Sequence, residues 1–139
     1  GAEPELVYGV TTGFGSLKDR PVREPERAAR MQRNLLLSHA AGTGEPLSAG
    51  LVRVVLALRL NAFLRGRSGV RAELVERLLE FERLGVVPRI PEQGSLGASG
   101  DLAPLAHLGL ALLGEGEARI ETRAFPTLDG ALAPAPASA

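Results

Sequence analysis

The sequence predicts a mainly α-helical fold, and three observations carry that prediction. Four segments place apolar or small residues at helical spacing, each is bracketed by residues that start or stop helices, and glycines and prolines punctuate the stretches between them. At 139 residues the chain has the length of one compact domain or of part of one.

Residues 1–24 carry Gly9, Gly13, Gly15 and Pro21 without sustained periodicity, so a loop is expected there, with a short extended piece at residues 6–8. Over residues 25–41, Ala28, Met31, Leu35 and His39 fall on one stripe of a first helix, which Gly42-Thr43-Gly44-Glu45-Pro46 ends. Ser48 is the expected N-cap of a second helix reaching about Leu64, closed by Gly66 and Gly69. This helix is apolar on most faces, through Leu51, Val52, Val54, Leu56, Leu58 and Leu60, and is expected to be buried. A third helix over residues 72–84 pairs an apolar stripe (Leu74, Val75, Leu78) with a charged face on which Glu73 and Arg77 sit at i, i+4, and Gly85 is its expected C-terminal cap.

Residues 86–100 hold Pro88, Pro91, Gly94, Gly97 and Gly100 and read as irregular. Asp101 is expected to cap a fourth helix over residues 102–113, with Pro104 in the first turn and Gly114 after the end. That helix is apolar nearly all round, and exposed apolar surface is expected on it. Beyond it a short hairpin near residues 119–122 precedes an Ala/Pro-rich tail that reads as disordered.

Composition removes several classes of function. Lys+Arg and Asp+Glu balance at 16 each, aromatic residues are 4%, and there is no Trp and one Tyr, so neither the charge nor the stacking platform for nucleic acid is present. The absence of cysteine removes disulfides, thiolate zinc sites and a cysteine nucleophile, and a reducing, cytoplasmic location is expected. No apolar run approaches the ~18 residues of a membrane span: Arg53 and Arg59 bound one candidate and His107 interrupts the next. The chain opens on Gly-Ala-Glu-Pro without an initiator Met, and a piece of a longer protein is expected.

The glycine clusters fail the spacing that phosphate binding demands. Lys18, Leu47 and Arg119 stand where the third glycine of a dinucleotide loop belongs, and no Gly-Lys-Ser/Thr occurs. With two histidines and no cysteine, no metal site is expected. Gly97-Ala98-Ser99-Gly100-Asp101 departs from a serine-hydrolase elbow at its last position. Ser99 nonetheless lies in a glycine-bracketed loop just before a helix N-terminus.

The surrounding string, Gly94-Ser95-Leu96-Gly97-Ala98-Ser99-Gly100-Asp101-Leu102-Ala103-Pro104-Leu105-Ala106-His107, resembles nearly letter for letter the signature of the aromatic amino acid ammonia-lyases. Two further segments resemble the same family: Tyr8-Gly9-Val10-Thr11-Thr12-Gly13-Phe14-Gly15, and Gln32-x-Asn34-Leu35-Leu36-x-Ser38-His39-Ala40-x-Gly42. The likeness covers about residues 6–122, so residues 1–122 are expected to be part of an amino-terminal lyase domain and residues 123–139 a divergent tail.

The resemblance implies the amino-terminal part of a helical lyase fold, with a long loop bearing a prosthetic group made from the chain itself, and no external cofactor. Attack of the Gly100 amide nitrogen on the Ala98 carbonyl carbon, with loss of water there and of the Ser99 hydroxyl, would leave 4-methylidene-imidazol-5-one. Gly100 and Ala98 suit such a compressed turn by their small size, and the adjoining helix N-terminus offers positive dipole to an electrophile. By the same resemblance Tyr8 takes the substrate β-proton, His39 orients the substrate side chain, Leu102 packs near it, and Asp101 holds the loop and aids ring closure. His107 reads as a buried structural residue.

Ser38-His39 resembles the histidine-specific branch, which implies L-histidine as substrate, trans-urocanate and ammonia as products, and either the amine or the imidazole as the group that meets the electrophile. A phenylalanine or tyrosine lyase, an aminomutase, and a catalytically silent truncated chain are the alternatives. The family further implies a homotetramer whose sites combine several subunits, so the chain alone is expected to be inactive.

Overall fold

A computed structural model describes residues 6–22 and 24–121, with helices α1 (Pro25–His39), α2 (Ala49–Leu64), α3 (Ala72–Leu84) and α4 (Leu102–Leu113). Local chemistry sets their ends. Pro25 begins α1 where a missing N–H costs little. Ser48 is extended, and its hydroxyl accepts the Leu51 N–H at 3.4 Å to cap α2. Gly85 and Gly114 stop α3 and α4 in the left-handed conformation, with φ of 69° and 77°.

Asp101 does not cap α4 through its side chain. Its backbone (φ −93°, ψ 42°) lies outside the extended region a capping residue uses, and Pro104, at the third helical position, has no N–H to offer. Arg77, expected beside Glu73, donates to the Leu112 carbonyl at 2.9 Å and so satisfies the C-terminal end of α4.

The segment read as irregular supplies two short strands. β1 (Thr43–Pro46) pairs antiparallel with β3 (Pro91–Gln93), and β2 (Val86–Pro88) pairs antiparallel with β4 (Ala118–Ile120), Val87 opposite Arg119. Three residues are too few to declare a period of two, and each partner lies far along the chain, so no local signal announced them. β4 therefore joins a long-range ladder in place of the expected local hairpin. Residues 6–8 form no strand: the chain turns from Tyr8 to Thr11, with the Val10 and Thr11 amides on the Val7 carbonyl at 3.0 Å. The expected disordered tail lies outside the described residues.

α2, α3 and α4 gather around β2, and α1 packs against α4. The core consists of Val52, Leu56 and Leu60 from α2, Leu78 from α3, Val87 and Ile90, and Leu108 and Leu112 from α4. α2 is thus buried on one face only, and Leu51, Val54 and Leu58 on the opposite face are 48%, 51% and 62% exposed. α4 is the better covered helix: Ala106, Leu108, Leu110, Ala111 and Leu112 are buried, and its large exposed apolar side chains are Leu102 and Leu113, at its two ends. Both helices were apolar enough to be central, and α4 has α1 on one side and β2 on another, whereas the outer face of α2 opens on a cavity in which Leu51 and Leu58 meet the edge of β3 and the start of α4. Among the described residues no helix is long and apolar enough to cross a membrane.

Candidate active site

The loop bearing Tyr8 is shaped by the two threonines that follow it. Thr11 Oγ1 accepts the Val7 N–H at 2.8 Å, while the buried Thr12 Oγ1 accepts the Gly9 N–H at 3.1 Å and donates to the Gly13 carbonyl at 3.0 Å. A single bridge between Thr12 and Pro21 closes the loop. The Gln32 side-chain amide then ties the loop to α1 by donating to the Gly9 carbonyl at 2.8 Å. Tyr8 stands out from this frame, with its ring edge-on to Phe14 at 5.8 Å and its hydroxyl oxygen accepting the Gly15 N–H at 3.3 Å.

His39 is the last residue of α1. Its Nδ1 lies 2.8 Å from the Leu35 carbonyl, which also accepts the Ser38 hydroxyl at 2.9 Å, and 3.0 Å from Ser38 Oγ. A carbonyl oxygen only accepts, so Nδ1 carries the proton. In the neutral ring Nε2 is left with the unshared pair, suited to accept an N–H from a substrate.

Tyr8, His39 and Leu102 line one groove of about 920 Å³, together with Phe14, Met31 and Leu35. That volume is at the upper end for a small-molecule site, and the walls are mainly apolar with few polar groups among them. Three residues singled out in three separate motifs thus share one space because α1 lies along α4 and the Tyr8 loop is tied to α1. Ala98 and Gly100 are exposed and are not among the groove's lining residues, and Asp101 lines a smaller cavity of about 300 Å³ with Ser95, Pro104 and Leu58.

The Ala98-Ser99-Gly100 segment forms a tight turn. Gly97–Ser99 form a 3-10 turn in which the Gly100 N–H folds back onto the Gly97 carbonyl at 3.1 Å. Gly100 has φ 71° and ψ −154°, a conformation essentially reserved for glycine, and a Cβ built at position 97 or 100 would meet nothing within 4 Å. The Gly100 amide is thus engaged by the Gly97 carbonyl in an exposed loop directly before α4.

His107 is half-buried on α4, and its Nε2 accepts the Gly42 N–H at 3.2 Å. Burial, and then the positive charge of Arg89, hold its pKa below the ordinary histidine value. Neither this bond nor the Gln32 anchor was visible from the sequence, because each joins residues brought together only by folding.

The model of the aromatic amino acid lyase family matches residues 2–136. The chain is 59% identical over 116 residues to the histidine ammonia-lyase of Symbiobacterium thermophilum and 52% identical over 128 residues to that of Bacillus subtilis, which covers 84% and 92% of this chain. The crystal structure of histidine ammonia-lyase from Trypanosoma cruzi aligns with a TM-score of 0.74 at 45% identity over 84% of this chain. The chain spans about a quarter of the length of these proteins, between 22% and 25%.

Proposed function

This chain belongs to the aromatic amino acid lyase family, and on that premise we propose that it is part of a histidine ammonia-lyase, which converts L-histidine to trans-urocanate and ammonia without oxidation. The observation that carries the proposal is the groove shared by Tyr8, His39 and Leu102 in a chain 59% identical to a histidine ammonia-lyase. The 4-methylidene-imidazol-5-one derived from Ala98, Ser99 and Gly100 supplies the electrophile of the reaction.

Its formation uses this chain's own atoms. The Gly100 nitrogen would bond to the Ala98 carbonyl carbon, that oxygen would leave as one water with the Gly100 and Ser99 amide hydrogens, and the Ser99 α-hydrogen and hydroxyl would leave as a second. Asp101, next in the chain, supports the loop. His39 accepts the imidazole N–H of the substrate on Nε2, and Leu102 packs against the ring. The Tyr8 oxygen, whose position the Gly15 amide holds, takes the β-proton. The whole enzyme is read as a cytoplasmic homotetramer with no external cofactor.

The test is urocanate formation by the full-length protein, followed by ultraviolet absorbance, with His39→Leu beside the parent. Removing the ring's acceptor is expected to lower kcat/KM for L-histidine by about ten- to a hundredfold and to weaken discrimination against phenylalanine. An unchanged preference for histidine in His39→Leu would remove His39 from its role, and a parent that deaminates phenylalanine or tyrosine in preference to histidine would move the chain to another branch of the family.

A further inference from the structure

We propose that His107 is a positioning residue that holds the His39 end of α1 in register with α4, by accepting the Gly42 amide on Nε2. The inference rests on the reading of His39 as the residue that faces the substrate. The His39 ring is held from within α1 by the Leu35 carbonyl, but Ala40 leaves the helical conformation (φ −76°, ψ 55°), so the helix end that carries it is placed by how the next residues are anchored. The anchor is Gly42, whose N–H lies 3.2 Å from His107 Nε2.

The seat around Gly42 is close on three sides. A Cβ there would lie 3.1 Å from His107 Nε2, 3.2 Å from the Gln93 carbonyl and 3.2 Å from Pro91 Cβ. Residue 42 is therefore pressed between α4 and β3, beside the Thr43–Gln93 pairing of β1 with β3, and the imidazole makes a directional contact in that seat. His107 lies on the same helix as Leu102, just over one turn further on. A single ring thus connects the ends of the two helices that carry His39 and Leu102 to the groove. Accepting an N–H requires an unprotonated Nε2, and burial together with Arg89 favours the neutral ring.

The experiment compares His107→Leu, which removes the acceptor, with His107→Gln, whose side-chain oxygen can reach the place of Nε2. Hydrogen exchange of the Gly42 amide, read on the full-length enzyme by mass spectrometry of the peptides that contain it, is independent of catalysis. It should quicken about tenfold in His107→Leu and stay near the parent rate in His107→Gln. In the full-length enzyme, KM for L-histidine should rise about tenfold in His107→Leu, recover in His107→Gln, and show no further rise when His107→Leu is added to His39→Ala. Unaltered Gly42 exchange in a folded His107→Leu chain overturns the proposal. So does a KM effect of the same size with and without His39, since that would be general destabilisation. Parent enzyme inactive on histidine, with Gly42 exchange still controlled by His107, would refute the functional reading and leave the clamp standing.

Discussion

Gly100→Ala separates the chemistry of the Ala98-Ser99-Gly100 turn from the stability of the fold. The native residue has φ 71° and ψ −154°, and a side chain in such a region is strained by about 1–3 kcal/mol. Because a Cβ at this position meets nothing within 4 Å, no steric contact adds to that figure, and the whole effect belongs to the backbone. At about 1.4 kcal/mol per factor of ten, the turn becomes roughly 5- to 140-fold less populated. The turn is exposed, so the chain relieves the strain by leaving it and the core is undisturbed, which keeps the melting temperature within about 2 °C of the parent. Intact mass is the assay: closure removes two waters, about 36 Da, from the peptide containing these residues. The full-length parent is expected to complete this loss, and full-length Gly100→Ala to remain in the heavier form for longer, losing the waters at a rate reduced by the same 5- to 140-fold. Loss of both waters at the parental rate in Gly100→Ala would refute the argument that the glycine-only conformation is needed, and a collapse in melting temperature would refute the argument that the strain is local.

Three further outcomes are expected. Tyr8→Phe keeps the ring on Phe14 and deletes the oxygen that Gly15 positions, so steady-state kinetics of the full-length enzyme should show kcat lowered about 10²- to 10⁴-fold with little change in KM. Leu56→Ala, at a side chain with no exposure, should cost about 2–5 kcal/mol in denaturant unfolding, whereas Leu58→Ala, 62% exposed, should change the stability of this chain by less than about 0.5 kcal/mol. Because the folded pKa of His107 lies below its unfolded value, the unfolded chain binds more protons once pH falls under about 6.5. Stability should therefore be intact above that pH and decline below it towards the folded value, and urea midpoints measured across this range should decline less in His107→Gln.

The helices were legible because their causes are local. The stripe of Ala28, Met31, Leu35 and His39 lies on the half-buried side of α1, Ser48 caps α2, and Gly85 and Gly114 stop α3 and α4, each through bonds within a turn or two. Where local signals competed, the reading failed: Asp101 looked like a cap, but its own backbone angles and Pro104 deny it that role. The three-residue strands carried too little pattern to be seen. Hydrophobicity alone marked both α2 and α4 as central, and could not say that α1 would cover α4 while Leu51, Val54 and Leu58 stayed exposed.

The same division runs through the candidate site. Sequence by itself singled out the candidate residues, since the motifs around Tyr8, His39 and Ser99 are contiguous and carry the resemblance to the lyase family. Only the tertiary structure decided that Tyr8, His39 and Leu102 face one groove, and that Gln32 and His107 hold the loop and the helix end in place. The reason is physical: capping and helical periodicity are set by neighbours within a few residues, whereas the packing of α1 on α4 joins distant segments through many weak contacts whose sum no short stretch of sequence encodes.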